Sequence, residues 1–145
     1  MKFYSFNEFK KDVKTLAKDI KKFNPQALVA VARGGMSLAH SLAVILNNRS
    51  LFCINSIHYD DTNKLDNIKI FNIPDLSGFE RVLVIDDIVD SGESLVAINN
   101  ILKEKYPLIE FKIATIFYKK AAIIKPDFKV KKTKEWIDFF WDIRA

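Results

Sequence analysis

Four carboxylates and two hydroxyls crowd into one short stretch near the middle of the chain, VLVIDDIVDSGES at residues 82–94. The apolar beginning of this stretch predicts a buried strand, and Asp86 and Asp87 come directly at the strand end. Asp90 follows, before a turn that leads into a helical pattern. Negative charge at the end of a buried strand is costly without a partner, so these residue types point to ligand chemistry.

The turn that follows these carboxylates is suited to bind an anion. The start of a helix presents free backbone N–H groups and the positive end of the helix dipole, which together favour phosphate. Gly92 lets the backbone approach closely, Ser91 and Ser94 offer hydroxyls, and Glu93 begins the helical pattern. Carboxylates accept hydrogen bonds from sugar hydroxyls or hold Mg²⁺. The stretch therefore predicts a site for a phosphorylated sugar with a metal ion beside it.

Other phosphate and metal motifs do not fit this stretch. A calcium loop needs Asp or Asn where the chain has Ile88, and the Walker phosphate loop and the dinucleotide fingerprint are absent from the sequence. Two structural interpretations stay open. Asp86 and Asp87 could be a pair of helix N-cap residues, and Asp90 could be the N-cap of the following helix.

Apolar runs of strand length alternate with helical patterns along the rest of the chain. At the first helix, Ser5 and Glu8 have the spacing of a capping box. Strands that are apolar throughout are typical of a parallel sheet covered on both faces, so we predict an α/β fold in a single domain, residues 1–145. The predicted strands are 27–32, 51–57, 68–73, 81–85 and 111–118, and the predicted helices are 5–23, 36–47 and 93–105.

Composition and charge narrow the classes of protein. Of the 145 residues, 49% are hydrophobic and 28% are charged, as in an ordinary globular protein. The formal net charge of +5 favours an anionic ligand and would also suit a weak nucleic-acid surface. Cys53 is the single cysteine, and the sequence shows neither a signal peptide nor an apolar run long enough to span a membrane. These features predict a cytoplasmic protein.

Residues 82–94 closely resemble the signature that binds phosphoribosyl pyrophosphate in type I phosphoribosyltransferases. The sequence ARGG at 32–35 resembles the pyrophosphate loop of that family. Phe117-Tyr118-Lys119, followed by Glu135-Trp136-Ile137 and Trp141-Asp142, resembles the purine-binding part of bacterial xanthine-guanine phosphoribosyltransferases. The resemblance implies a central, mostly parallel sheet flanked by helices, with a small C-terminal base-binding segment at about 117–142.

The resemblance also implies an activity. The protein would be a purine salvage phosphoribosyltransferase that moves ribose 5-phosphate from phosphoribosyl pyrophosphate to guanine, xanthine or hypoxanthine, with Mg²⁺ as cofactor and a homo-oligomer, dimer or tetramer, as its assembly. Asp86 and Asp87 would receive the ribose hydroxyls, and Asp87 would also contact the metal. The segment Asp90-Ser91-Gly92-Glu93-Ser94 would hold the 5′-phosphate, and Asp90 would exchange a proton with the purine ring.

The remaining site residues follow from the same resemblance. Arg33, Gly34 and Gly35 would bind pyrophosphate, in a loop that in the family often has a cis peptide beside the glycine. Lys119 would donate to the purine 6-oxo oxygen, Trp136 would stack on the ring, and Ile137 would offer backbone atoms. A core position is the alternative for Trp136. Residues 58–67 would form a flexible loop with Tyr59 near its closing tip, and His58 is expected to be a solvated loop residue.

Two features of the chain leave alternatives open. Lys120 follows Lys119 where xanthine-guanine enzymes often have Pro, and the chain stops at Ala145, so base preference and assembly stay undecided. Some proteins of this fold bind nucleic acid as regulators, and a lysine-rich tail would suit that role. A Mg²⁺-dependent phosphatase or sugar-phosphate binder would share only the Asp-Asp stretch. The tail lysines are Lys119, Lys120, Lys125, Lys129, Lys131, Lys132 and Lys134.

Overall fold

The predicted strands form a mostly parallel central sheet. A computed structural model describes residues 1–59 and 67–144 of the chain. The strands are β2 (Ala27–Ala32), β3 (Leu51–His58), β4 (Ile68–Phe71), β5 (Arg81–Ile85) and β7 (Glu110–Ala114). Their order is β4-β3-β2-β5-β7, and β4 runs antiparallel to β3 while the other neighbours are parallel. The predicted α/β fold with a mostly parallel sheet is confirmed.

Helices cover both faces of this sheet. They are α1 (Phe6–Phe23), α2 (Met36–Ile45) and α3 (Glu93–Lys105). Leu28 packs in one apolar cluster with α1 and α2, and Val29 packs in a second cluster with α3. Successive residues of β2 thus face opposite helices, which is why its sequence ALVAVA is apolar throughout. Among the described residues, no helix has the length and apolar character that crossing a bilayer requires.

The ends of α1 lie where the sequence signals place them. Ser5 Oγ accepts a hydrogen bond from the Glu8 N–H at 3.2 Å, and the Glu8 carboxylate accepts one from the Ser5 N–H at 2.9 Å. The predicted capping box is therefore present. Asn24 ends the helix in the left-handed conformation, with φ at 53°. The second helix, α2, is shorter than predicted and ends at Ile45.

The predicted strand 111–118 was wrong in its extent, because the chain leaves the central sheet after Ala114. Thr115 is buried, and its hydroxyl donates to the Phe117 carbonyl at 2.9 Å. The Phe117 N–H donates to the Asp87 carbonyl at 3.1 Å. These bonds direct the chain over the carboxyl end of β5, into a second, three-stranded parallel sheet. Its strands are β6 (Ile88–Val89), β8 (Phe117–Tyr118) and β9 (Lys131–Lys132).

A short strand near the start of the chain, which the sequence pattern does not predict, holds the C-terminal segment. It is β1 (Lys2–Tyr4), and it pairs in parallel with β10 (Ile137–Phe139). Tyr4 is fully buried, and its hydroxyl donates to Asp12 Oδ2 at 2.6 Å. Lys131 Nζ lies 3.0 Å from the same oxygen. These three residues, here called the Tyr4 network, connect β1, α1 and β9.

Burial is the main reason why the pKa of Tyr4 lies well above its ordinary value, and the hydrogen bond and charge of Asp12 add to the shift. The hydroxyl therefore stays protonated and able to donate. The Tyr4 ring also packs edge-on against Phe117 and Phe139, at centroid distances of 5.1 and 5.8 Å. One side chain thus contacts both β8 and β10, the strands that flank the predicted base-binding residues.

Candidate active site

Two adjacent carboxylates lie at the carboxyl end of β5. Asp86 Oδ1 accepts a hydrogen bond from the Asp87 N–H at 2.8 Å, and Asp87 Oδ1 accepts one from the Ile88 N–H at 2.7 Å. Each side chain therefore bonds to the next backbone group, which fixes both carboxylates at the edge of the sheet. They do not cap a helix, because α3 begins at Glu93 with Gly92 as its N-cap. The interpretation of Asp86 and Asp87 as N-cap residues is wrong.

The electrostatic setting of this pair favours positive or hydrogen-donating ligands. Burial raises the pKa of Asp86 well above its ordinary value, and the charge of Asp87 adds to the shift. Burial also raises the pKa of Asp87, against the opposing hydrogen bonds with Asp86 and the Ile88 N–H, and the charge of Asp142 raises it further. A divalent cation or hydroxyl donors would relieve the repulsion between the two carboxylates.

A tight glycine turn passes directly against the carboxylates. A Cβ at Gly34 would lie 2.7 Å from Asp87 Oδ2, and a Cβ at Gly35 would collide with the Ile85 carbonyl oxygen. Position 35 therefore requires glycine, because a larger residue would meet the backbone of β5, whereas a side chain at position 34 would displace the Asp87 carboxylate. The peptide bond between Ala32 and Arg33 is cis, beside the glycines as the resemblance implies.

Arg33 projects from this turn toward an open cavity. The side chain is exposed and lines a space of about 660 Å³ together with Asp87, Asp142 and Arg144. Two arginines and the glycine turn thus border one cavity beside the paired carboxylates. Guanidinium groups suit phosphate oxygens because they offer several donors and a fixed charge. Arg144 was missed by sequence reasoning, because nothing in its local sequence marks it as a ligand.

The start of α3 forms a compact anion cradle. Gly92 has φ at +91°, and a Cβ there would lie 2.8 Å from Ile124 Cγ2. The Ile123 N–H donates to the Ser91 carbonyl at 2.9 Å, so this later segment covers one side of the turn. The first helical hydrogen bond runs from the Val96 N–H to the Gly92 carbonyl, so the preceding N–H groups of α3 have no helical acceptor. The Glu93 N–H donates to Ser91 Oγ at 3.4 Å, which leaves those of Ser94 and Leu95 to face an anion.

Asp90 and Lys119 meet at the next position along the site. Lys119 Nζ lies 2.6 Å from Asp90 Oδ1, and the Asp90 side chain is 58% exposed. The N-cap of α3 is Gly92, so the interpretation of Asp90 as an N-cap is wrong. The Lys119 N–H donates to the Val89 carbonyl at 3.0 Å, which holds the start of the base-binding segment against the loop that carries Asp90. The predicted proton-transfer group and the predicted 6-oxo donor are therefore direct neighbours.

A cavity of about 140 Å³ opens beside this ion pair. Apolar and acidic side chains line this cavity, which is here called the slot. Sequence reasoning had singled out Asp90, Lys119, Trp136 and Ile137, and the structure brings all four to its wall. Glu135, Phe139 and Asp142 also line it. Glu135 and Asp142 stand in the segments that resemble the purine-binding part, although no role was assigned to either, and Phe139 has no ligand signal in the sequence.

The two tryptophans of the C-terminal segment occupy opposite environments. Trp136 is 65% exposed at the cavity wall, so the alternative of a core aromatic is wrong for this residue. Trp141 instead stacks on Phe139 at 4.7 Å and packs edge-on against Tyr4. An exposed indole beside a slot is available to stack on a planar ligand, whereas Trp141 contributes to the fold.

The predicted flexible loop falls largely outside the described residues. His58 is the last residue of β3, and the Tyr59 N–H donates to the Asn67 carbonyl at 2.8 Å. Tyr59 is exposed at the end of this bridge. Residues 60–66 lie outside the described part of the chain. His58 differs from the expected solvated loop residue, because it is half-buried and contacts Ser94.

Several tail lysines have partners within the molecule. Lys119 pairs with Asp90, Lys131 pairs with Asp12, and Lys129 Nζ lies over the Tyr118 ring at 5.6 Å. These contacts direct part of the positive charge inward, so the lysine-rich sequence is not one continuous solvated stripe. This arrangement fits a catalytic or structural use of the lysines better than the tracking of a nucleic-acid backbone.

Residues 3–145 match the family model described as "Phosphoribosyl transferase domain". The chain belongs to this family. The match spans both the carboxylate loop of residues 82–94 and the base-binding segment, so the resemblance drawn from short motifs holds for the whole fold. A type I phosphoribosyltransferase fold, with its sheet and helices as described above, is thereby confirmed.

Named relatives of this family cover most of the chain. A xanthine-guanine phosphoribosyltransferase of Idiomarina loihiensis is 29% identical over 121 residues, which are 81% of this chain and 71% of the relative. A solved xanthine-guanine-hypoxanthine phosphoribosyltransferase of Helicobacter pylori is 41% identical, with a TM-score of 0.91 over 98% of this chain and 94% of that one. A purine phosphoribosyltransferase of Pyrococcus horikoshii is 28% identical, with a TM-score of 0.85 over 99% and 95% of the two chains.

The donor atoms at the end of β5 fit the magnesium ion that phosphoribosyltransferases use. Asp86 and Asp87 offer hard carboxylate oxygens, and both residues line cavities beside the end of β5. Within residues 1–59 and 67–144, no group of three or more His, Cys, Asp or Glu is arranged to hold a metal. Mg²⁺ is commonly bound by one or two carboxylates, with substrate phosphates and water completing its shell. The pair therefore fits a metal that binds together with a phosphorylated substrate.

Proposed function

We propose that this protein is a purine salvage phosphoribosyltransferase that moves ribose 5-phosphate from phosphoribosyl pyrophosphate to a 6-oxopurine. The observation that carries the proposal is the position of Asp90 and Lys119, 2.6 Å apart between the carboxylate pair and the cavity beside Trp136. The names of the Idiomarina and Helicobacter relatives support guanine, xanthine and hypoxanthine as the bases.

The donor occupies the carboxyl ends of β2 and β5 in this proposal. Asp86 and Asp87 accept hydrogen bonds from the 2′ and 3′ hydroxyls of the ribose. The 5′-phosphate lies in the cradle at the start of α3, where free N–H groups and the helix dipole favour its charge. The cradle consists of Asp90, Ser91, Gly92, Glu93 and Ser94.

The leaving pyrophosphate lies on the glycine turn. Backbone N–H groups of Arg33, Gly34 and Gly35 donate to its oxygens, and the Arg33 side chain borders the same cavity. Asp87 would hold Mg²⁺ directly or through water. When bound, the metal neutralises part of the pyrophosphate charge and makes it a better leaving group. The close approach of Gly34 to Asp87 and of Gly35 to the backbone of β5 supports this placement, because it puts the turn directly beside the carboxylates.

In the chemical step, the bond between ribose C1 and the pyrophosphate oxygen breaks, and its electron pair leaves with pyrophosphate. A purine ring nitrogen then bonds to C1 and yields the nucleoside monophosphate. Positive charge develops on the ribose, and Asp86 and Asp87 stabilise it. Asp90 accepts the proton that the purine loses, a contribution of about 10²–10⁴-fold in rate for a positioned base.

The purine lies in the slot between Trp136 and Ile88. Lys119 donates to its 6-oxo oxygen, Trp136 stacks on the ring, and Ile137 offers backbone atoms to the 2-position. Adenine carries an amino group in place of the 6-oxo acceptor, so Lys119 would lose this hydrogen bond and keep only its contact with Asp90. A hydrogen bond to a charged group contributes about 1.5–3 kcal/mol. The homo-oligomer and the cytoplasmic location stay predictions.

Pyrophosphate release from phosphoribosyl pyrophosphate tests this function. The purified protein is assayed with Mg²⁺ and separately with guanine, hypoxanthine, xanthine, adenine and no base. We expect release with the 6-oxopurines and little with adenine. Release without any base would indicate a hydrolase, and donor binding without release would indicate a sensor. A parallel assay with EDTA tests the requirement for the metal.

A further inference from the structure

His58 connects the end of β3 to the start of α3. Its Nε2 lies 3.2 Å from Ser94 Oγ, and both residues line a cavity of about 140 Å³. Asp90, Ser91 and Gly92, which form the proposed 5′-phosphate cradle, line the same cavity. His58 comes from a different strand than the rest of this cradle. Its position is therefore fixed by the fold of the sheet and not by the local turn.

Unpaired polar atoms concentrate at this junction. Among the described residues, four buried side-chain polar atoms lack a hydrogen-bond partner, and three belong to Ser56, His58 and Glu93. Ile54 packs with Leu95 in the apolar cluster beneath α3, and alternate residues of a strand share a face. Ser56 and His58 therefore project toward α3, on the side where Glu93 begins that helix. Buried polar groups are normally paired, so this concentration indicates that a polar ligand completes the site.

The direction of the contact between His58 and Ser94 decides what Ser94 can offer. Phosphate oxygens at neutral pH are acceptors, so a hydroxyl must donate its proton to bind them. Ser94 can do so only when its oxygen accepts from His58 and its proton is left free. With Nε2 carrying the hydrogen, a neutral ring leaves Nδ1 as an acceptor. The tautomer with its hydrogen on Nε2 thus leaves the Ser94 hydroxyl free to donate a hydrogen bond to phosphate.

We propose that His58 is a positioning residue of the 5′-phosphate pocket, which orients the Ser94 hydroxyl toward the phosphomonoester of the ribose ligand. This inference rests on the proposed function for the identity of the ligand. It gives His58 a use that the family motif of residues 82–94 does not contain. It also makes donor recognition depend on contact between β3 and α3.

Direct binding of ribose 5-phosphate and of phosphoribosyl pyrophosphate, measured by calorimetry, tests the inference without requiring turnover. His58→Phe keeps a ring in the space and removes both nitrogens, and we expect it to weaken binding of both ligands about tenfold. His58→Gln, whose amide can reach the place of Nε2, should recover most of the affinity. Purine KM should stay near the wild-type value in both variants. The matched control is His40→Phe, since His40 is exposed on α2 away from the pocket.

A double-mutant cycle separates positioning from mere packing. Ser94→Ala should also weaken binding about tenfold, and the combination with His58→Phe should cost no more than either change alone. Additive losses, or unchanged affinity in His58→Phe, would overturn the inference. Thermal unfolding of each variant identifies a folding defect, and in that case His58→Gln and His58→Asn, which keep a nitrogen near different ring positions, decide the question. If the wild type binds ribose 5-phosphate and phosphoribosyl pyrophosphate but releases no pyrophosphate with any purine, the proposed function fails while this test of His58 still stands.

Discussion

The donor side and the base side of the site are built in different ways. On the donor side, the proposed ribose and 5′-phosphate groups lie mainly in one continuous stretch, residues 82–94, in which strand, turn and helix follow each other and the Asp86 and Asp87 side chains bond to the next residue. The glycine turn after β2 and His58 of β3 join it from elsewhere in the chain. The base side is dispersed over β8 and β10. Its position depends on β1 and on the Tyr4 network, which come from the other end of the sequence.

Because of this difference, the groups of the transfer reaction are held separately from the groups that select the base. A local stretch keeps its geometry through short-range bonds, so the groups that handle ribose and phosphate are fixed together. The base-binding residues depend on tertiary contacts, and small shifts in β10 would move Trp136 and Ile137 without disturbing the donor side. Such an arrangement lets the choice of base change while the transfer step is retained. Substitutions on each side test how independent the two sides are, and Asp90 lies where they meet.

The largest effect is expected at the junction, from Asp90→Asn. The side chain keeps its shape but cannot accept the purine proton, so turnover should fall by about 10²-fold or more. Binding of phosphoribosyl pyrophosphate should change little, because the substitution keeps the backbone groups of the 5′-phosphate cradle and leaves Asp86 and Asp87 for the ribose hydroxyls. Single-turnover kinetics and calorimetry measure the two quantities separately. Unchanged turnover would remove Asp90 from the chemistry and leave it as a structural partner of Lys119.

The two tryptophans give the next largest contrast. Trp136→Ala should weaken purine binding by about 1–3 kcal/mol, the range for a base stacked on an aromatic ring, and should leave the melting temperature nearly unchanged because Trp136 is largely exposed. Trp141→Ala should instead destabilise the fold by about 3–5 kcal/mol, because its ring packs against Tyr4 and Phe139. Equal stability losses in the two variants would contradict the assignment of Trp136 to the purine slot.

The sequence predicts the donor side well because its information is local. The apolar residues, the paired carboxylates and the Ser-Gly turn follow one another directly in the sequence. Asp86, Asp87 and the start of α3 can therefore be predicted without knowledge of the fold. The same holds for α1, whose capping box marks its start. The pairing of Asp90 with Lys119 was not predicted, because the spacing between them says nothing about where β8 lies.

Features that depend on tertiary contacts were missed. β1 has three residues, too few for a strand pattern, and its partner β10 is distant in sequence. The exit of the chain from the sheet at Thr115 was missed because the apolar run continues through Ile116 and Phe117. His58 was assigned to solvent on the polarity of its neighbours. In each case the deciding contact lies far away along the chain, where periodicity and motif spacing carry no signal.

The Tyr4 network offers a smaller and more selective test of the base side. Tyr4→Phe keeps the ring contacts with Phe117 and Phe139 and removes the hydrogen bond to Asp12, at a cost of about 1.5–3 kcal/mol for a bond to a charged group. Purine KM should rise severalfold while the affinity for phosphoribosyl pyrophosphate stays unchanged. The control is Asp19→Asn, which removes an exposed ion pair with Lys22 of 3.9 Å and should alter neither value. Equal effects on both substrates would show that the two sides move together.

The smallest effect is expected at the donor side, in the stability of the free protein. Asp86→Asn keeps an acceptor for the Asp87 N–H but removes a charge from a buried pair. The free energy of unfolding should rise by about 1 kcal/mol at neutral pH, as for other favourable point substitutions. Turnover should fall, because ribose recognition loses a carboxylate. Chemical denaturation in the absence of ligands measures the stability.

The pH dependence of the stability gained in Asp86→Asn tests whether the buried charge is its cause. The pKa of Asp86 is raised in the folded state, so the unfolded chain loses its proton first as pH rises, and wild-type stability falls from about pH 4 upward until the folded carboxyl has also ionised. Asp86→Asn removes this contribution, so its advantage should be small near pH 4 and full at pH values above the folded pKa. Phosphoribosyl pyrophosphate with Mg²⁺ should reverse the order by stabilising the wild type more strongly. A gain in the free energy of unfolding that does not change with pH would mean that the substitution acts through packing and not through the buried charge. The donor side would then not differ from the base side by keeping a buried charge for its ligand.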